Sequence, residues 1–149
     1  MSVLEFEQSL RERGYRVTPQ RVLIHRAFTE LGRHASAEEV LARVEPQLPN
    51  ASLPTVYAAL ELFEEMGIAH RVAAGSATAL WDPRPERHHH FICRSCGAVE
   101  DLDVRVDAAG ALRAARRRGH RPEGSELIVS GLCRQCQTGR HGPHPSQPR

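Results

Sequence analysis

The chain has 149 residues, with 20 basic and 18 acidic side chains, a formal charge of +2 and a pI near 8.5. That length holds one ordinary domain or two small ones, no apolar run is long enough to span a membrane, and so small a net charge excludes a broadly cationic coat for nucleic acid. Any such contact must come from local placement of the basic groups, all of which are arginines, the better fork for phosphates and guanine edges.

Four helix signals precede residue 67. In the first, Val3, Phe6 and Leu10 recur at helical spacing up to Gly14. Residues 1–15 hold neither an apolar signal core nor a small-residue cleavage site, so a cytoplasmic setting with reduced thiols is expected. Between Arg11 and Arg26 five arginines face one acid, Glu12, which is either a basic surface or a set of solvated helix faces. The second helix takes Thr18 as N-cap and Pro19 at its first position, then runs Val22, Leu23, Ala27, Phe28 and Leu31. The third carries the capping box Ser36 to Glu39 ahead of Val40, Leu41 and Val44, and Pro46 stops it. The fourth starts near Ser52, sets Val56, Ala59, Leu60, Phe63 and Met66 on one face and Thr55, Tyr57, Ala58 and Glu61 on the other, and ends at Gly67.

Residues 68–72 and 77–81 flank Ala73-Ala-Gly-Ser76 and read as a β-hairpin. Three helices followed by a hairpin make a winged helix, whose recognition helix enters the major groove by its N-terminal turn. Ser52, Thr55 and Tyr57, with Leu53, then lie nearest bases and phosphates, while Arg16 and Arg21 hold the DNA backbone. The plainer alternatives are a half-buried Tyr57 covering the core and a Thr55 bonded to its own helix start. Asp82-Pro-Arg-Pro-Glu-Arg87 follows, its two prolines favouring an extended hinge.

Cys93, Cys96, Cys133 and Cys136 are the only cysteines, two Cys-x-x-Cys pairs separated by thirty-six residues. Each pair can bite one cation from a single turn, and two pairs supply four thiolates for tetrahedral Zn²⁺ at about 2.3 Å. A closed four-sulfur set leaves no position for catalysis, so the zinc is expected to be structural. His88 and His90 alternate along a strand, which sends both imidazoles off one face and His89 off the other.

Four blocks now bear on one another: Gly14-Tyr-Arg-Val-Thr-Pro-Gln-Arg21, His34-Ala-Ser-Ala-Glu-Glu-Val40, Thr55-Val-Tyr57 with Leu60, and His88-His-His-Phe-Ile-Cys-Arg-Ser-Cys-Gly97 with Gly131-Leu-Cys-Arg-Gln-Cys136. In these the chain resembles the ferric uptake regulator family of bacterial metal-dependent repressors. The resemblance implies an α+β protein: a winged-helix DNA-binding domain over 1–82, a hinge over 83–87, and an α/β dimerisation domain with the four-cysteine zinc site over 88–137. It also implies a homodimer on palindromic, often AT-rich, operator DNA, and no enzymatic activity. Residues 91–93, 98–102 and 127–129 are strand-like around an arginine-rich helix near 106–118, and in the family this sheet pairs across the dimer. The tail 138–149 is expected to be disordered.

By the same resemblance, the regulatory metal site maps onto His34, Asp82, His88, His90 and Asp101, with Glu100 competing for the last place. Such nitrogen and oxygen ligands suit Fe²⁺, Mn²⁺, Co²⁺, Ni²⁺ or Zn²⁺ and discriminate by geometry. A cation held on both sides of the hinge would select one hinge angle. If that angle spaces two recognition helices by roughly 34 Å, metal and operator binding become reciprocally coupled. Moving the population decisively takes differential affinity of around 5 kcal/mol.

The chain departs from the family in three places. A further metal site known in some relatives falls on Arg87, His89, Ala108 and Ser125, of which one can ligate well. Ala58 stands where many relatives place an arginine, and there is no fifth cysteine of the kind some zinc sensors use. Asp101 and the run from His88 to Gly97 resemble the peroxide-sensing branch, in which bound Fe²⁺ reacts with peroxide, a ligand histidine is oxidised and DNA is released. An iron or peroxide sensor using Fe²⁺ or Mn²⁺ is therefore the first expectation, and a zinc- or nickel-responsive repressor the second. Two histidines and a carboxylate could instead form the facial triad of a non-haem metal enzyme, or the zinc could staple an interaction module without DNA affinity.

Overall fold

The computed structural model describes residues 1–72 and 79–139. These fall into two compact units, one ending at Pro85 and one beginning at Glu86.

The first unit is a winged helix. Helix α1 (Val3–Glu12) starts at a reciprocal capping box between Ser2 and Glu5, and the chain leaves it through Gly14 at φ 77°. Helix α2 (Pro19–Leu31) has the Thr18 cap and the proline at its first position, and Gly32 closes it in the left-handed conformation at φ 61°. Shortly after comes a strand absent from the sequence reading, β1 (Ala35–Ser36). Ser36 both ends that strand and caps α3 (Ala37–Val44) through its box with Glu39. Helix α4 (Leu53–Glu65) is capped by Ser52. Strands β2 (His70–Val72) and β3 (Leu80–Asp82) pair antiparallel, as the hairpin pattern requires, and β1 adds to the other edge of β3. The turn expected at Ala73–Ser76 lies outside the described residues.

The apolar stripes meet in one core around Phe6, Leu10, Ile24, Phe28, Val40, Val56, Leu60, Phe63 and Trp81. The faces read from the sequence are the ones buried: on α4, Val56, Ala59, Leu60, Phe63 and Met66 are inside, while Ala58 and Glu61 are exposed. One polar ring sits in this core. His25 stacks on Phe6 at 3.9 Å between centroids and meets Phe63 edge-on, and its burial pushes its pKa down to about 4.

The second unit is a three-stranded sheet in the order β5-β4-β6, made of β4 (His89–Cys93), β5 (Val99–Leu102) and β6 (Ile128–Gly131). Strand β4 pairs antiparallel with β5 and parallel with β6, the crossover containing α5 (Ala109–Arg117). This helix begins later than the arginine pattern suggests because the Asp107 carboxylate takes the Ala109 N–H, forming a turn ahead of it. A final short helix, α6 (Arg134–Gln137), contains the second member of the Cys133 pair. The buried core here is small, Cys93, Ala98 and Cys133 with Phe91, Leu132, Cys96 and Cys136 against them. The sulfurs are the core. The expected tail lies outside the described residues from position 140 onward.

Candidate metal centres and nucleic-acid interface

Cys93 ends β4, Cys96 follows across a turn closed by Gly97 at φ 72°, and Cys133 and Cys136 follow β6. Because β4 and β6 run parallel with Cys93 opposite Gly131, the two cysteine pairs leave the same end of the sheet. Their four Sγ atoms lie within 4.8 Å of one another, and Cys96 Sγ and Cys133 Sγ are 3.7 Å apart. A tetrahedron with 2.3 Å metal–sulfur bonds has edges of about 3.8 Å, so the set fits zinc, and none of the four is in a disulfide. Burial raises the Cys93 thiol, but the amides of Cys96, Cys133 and Ser95 outweigh it and bring it to about 6, with the Cys133 N–H donating to its sulfur at 3.3 Å. Burial, reinforced by neighbouring thiols, pushes Cys96 up to about 12. Backbone N–H groups thus favour the charged form of the Cys93 sulfur, the form a cation takes.

In the first unit, sheet register creates a donor pair. β1 opposes β3 with Ala35 facing Trp81, so one step outward sets His34 beside Asp82. His34 Nε2 lies 3.3 Å from Asp82 Oδ2, with both side chains largely buried, and Asp82 Oδ1 accepts from the Arg84 N–H at 2.8 Å. The side chain of His70, opposite Asp82 on β2, contacts the Pro85 carbonyl and ties down the residues after β3.

In the second unit a donor set collects on one face of the sheet. His90 faces Asp101 across the β4–β5 ladder, and His88 precedes it by two residues, the period that returns a side chain to the same face. Asp101 Oδ1 lies 3.1 Å from His88 Nε2 and 3.8 Å from His90 Nε2, and the two rings are 4.4 Å apart. Glu100, the competitor, is one residue off and exposed, so the alternation of the strand selects Asp101. The other ring nitrogens are engaged: His88 Nδ1 with the Glu86 carbonyl at 2.9 Å, His90 Nδ1 with Glu126 Oε1 at 2.6 Å. With Nδ1 engaged, each Nε2 is the ring nitrogen turned toward Asp101. His89 turns elsewhere and accepts the Leu127 N–H on its own Nδ1 at 3.0 Å. Glu126 is the residue the sequence reading missed.

At the start of the recognition helix a cavity of about 250 Å³ is lined by Arg16, Thr18, Gln20, Arg21, Thr55 and Ala58. Neither Arg16 nor Arg21 pairs with a carboxylate among the described residues; Arg21 Nη1 instead donates to the Arg16 carbonyl at 2.6 Å, fixing one guanidinium at the rim. The Ser52 and Thr55 hydroxyls bond each other at 2.8 Å, and Ser52 Oγ caps α4 by accepting the Thr55 N–H. Tyr57 is half-buried, its ring edge-on to Trp81 at 5.5 Å, while Arg71 of the wing lies over the Trp81 ring. The structural roles anticipated as alternatives for Thr55 and Tyr57 are therefore filled, at positions still at the surface.

A winged helix with a cationic cavity at its recognition helix, on a chain that also carries a four-cysteine set and histidine–aspartate donors, defines a metal-responsive transcriptional regulator. Residues 12–128 match the model of the ferric uptake regulator family. The chain is 31% identical over 134 residues to the peroxide-responsive repressor PerR of Staphylococcus epidermidis, with 87% of this chain and 86% of that protein covered. Its fold is similar to that of the Helicobacter pylori ferric uptake regulator Fur, with a TM-score of 0.72 over 91% of each chain at 20% identity. It is also similar to a zinc uptake regulator solved with zinc and DNA, at a TM-score of 0.67 and 26% identity over 92% of this chain and 93% of that one. The chain belongs to the ferric uptake regulator family, and it is a metal-dependent transcriptional repressor.

Proposed function

We propose that this repressor reads iron and peroxide through a single cation held by His34, Asp82, His88, His90 and Asp101. The observation that carries the reading is the convergence of the His88 and His90 Nε2 atoms on one Asp101 oxygen, with each Nδ1 engaged elsewhere. An imidazole and carboxylate donor set suits Fe²⁺ and Mn²⁺ and lacks the soft sulfur of a dedicated thiolate site. Held by these residues, Fe²⁺ would supply an electron to peroxide and become Fe³⁺, a chemistry Mn²⁺ would supply far less readily. Similarity to the Staphylococcus epidermidis peroxide-responsive repressor and the aspartate at position 101 favour peroxide as the signal.

Cys93, Cys96, Cys133 and Cys136 hold the structural zinc, and residues 83–87 serve as the hinge whose angle the regulatory cation selects. Arg16, Arg21, Ser52, Thr55 and Tyr57 meet operator DNA, the two arginines through phosphates at the rim of the cavity. The protein acts in the cytoplasm as a homodimer: Leu127, Ile128 and Val129, on and just before the edge strand β6, are about 40% exposed, an apolar edge that a second copy would cover.

The test is retention of a duplex selected from a random pool by the zinc-containing protein loaded with Fe²⁺, Mn²⁺, Zn²⁺ or Ni²⁺. Fe²⁺ and Mn²⁺ are expected to support binding, and hydrogen peroxide to abolish it for the Fe²⁺ form alone. Full metal-dependent binding by His88→Ala and His90→Ala would overturn the site; peroxide insensitivity of the Fe²⁺ form would overturn the signal.

A further inference from the structure

The edge strand of the metal-binding sheet carries a carboxylate whose position follows from its register. Gly131 stands opposite Cys93 and Ile128 opposite His90, so in this parallel pair Glu126, two residues before Ile128, falls on the face that bears His88 and His90. The backbone agrees: the His90 N–H donates to the Leu127 carbonyl at 3.0 Å, which fixes the chain next to Glu126 against β4. From there the Glu126 carboxylate reaches His90 Nδ1 at 2.6 Å. The His90 side chain is 3% exposed and that of Glu126 is 34% exposed, so the bond is shielded on the imidazole side and approachable on the carboxylate side.

We propose that Glu126 is a positioning residue for the regulatory metal: by accepting the Nδ1–H of His90 it fixes the tautomer and ring angle that present the Nε2 lone pair toward Asp101 and His88. The inference rests on the reading of His90 as a ligand. Glu126 acts through His90, since it bonds the ring nitrogen remote from the Asp101 side. A carboxylate on the far nitrogen of a ligand imidazole raises its basicity as well as orienting it, and losing such a partner typically weakens metal affinity about 10- to 100-fold. His88 has a weaker anchor, the Glu86 carbonyl, so the two histidines are held by different means.

The experiment uses the full-length, zinc-containing protein and titrates it with Mn²⁺, the free ion being followed by its paramagnetic resonance. Wild type, Glu126→Ala, Glu126→Gln and His90→Ala are compared, with zinc content measured in each. Glu126→Ala is expected to raise the Mn²⁺ Kd by about 10- to 100-fold with zinc retained. Glu126→Gln, whose amide oxygen can still accept the Nδ1–H, should keep most of the affinity. Nitrogen-15 spectra of the protein before Mn²⁺ is added give a second readout: the His90 Nδ1–H signal should persist in wild type and Glu126→Gln and vanish in Glu126→Ala. Wild-type affinity in Glu126→Ala overturns the proposal, as does equal weakening in the Ala and Gln variants or loss of zinc from either. Wild-type affinity in His90→Ala removes the ligand reading itself, which separates that failure from a failure confined to Glu126.

Discussion

His25 occupies a place where a hydrocarbon ring would serve packing equally well, stacked on Phe6 and 3% exposed. Burial favours its neutral form and lowers its pKa from the ordinary 6.5 to about 4. Between those values the unfolded chain takes up a proton that the folded core refuses, so stability is full above pH 6.5 and falls as the pH drops toward 4. The loss attributable to this one residue is about 2 kcal/mol at about pH 5 and approaches about 3 kcal/mol below the folded value. Urea unfolding followed through Trp81, the sole tryptophan and a member of the same core, measures it. His25→Phe should flatten the slope between about pH 7.5 and 5; an unchanged slope would assign the acid sensitivity to other groups.

Helix α3 is short, and its start is over-determined. Ser36 Oγ takes the Glu39 N–H at 3.2 Å while the Glu39 carboxylate returns to the Ser36 N–H at 2.9 Å and also pairs with Arg33 at 2.8 Å. Ser36→Ala is expected to cost about 1 to 2 kcal/mol in urea unfolding, since the residue is 1% exposed and water cannot replace the cap. The same change at exposed Ser2 should cost less. Caps and apolar periods of this kind are local, which is why all four helices of the first unit could be read from the chain. The strand β1 could not: two residues offer no alternation, yet its pairing with β3 is what brings His34 beside Asp82. The parallel partnership of β6 with β4 is equally silent in sequence. Zinc joining the Cys93 and Cys133 pairs brings the ends of β4 and β6 together, but only the pairing of Cys93 with Gly131 puts Glu126 at the level of His88. The proposed regulatory residues follow from family resemblance, whereas the carboxylate beside His90 follows from the register alone.

The two units are stabilised by different means. The first has a continuous apolar core from α1 to β3, whereas the second buries little beyond cysteines and Ala98, and no residue of α5 is buried. A sheet with so small a core depends on its metal for folding free energy. Stripping zinc with a strong chelator should therefore collapse amide protection across β4, β5 and β6, with Trp81 fluorescence of the first unit preserved. Hydrogen exchange resolves the two, and protection surviving in β6 after full zinc removal would contradict a metal-dependent sheet.

The parallel pairing of β6 with β4 also limits how this protein can change over time. Eight positions run from Glu126 to Cys133 along a strand whose side chains flip with every step. Deleting or adding one residue there would turn the carboxylate to the opposite face or pull the thiol out of reach of its three companions. The stretch between β5 and α5 carries no such count. Length variation among descendants of this chain should accumulate there and spare the edge strand.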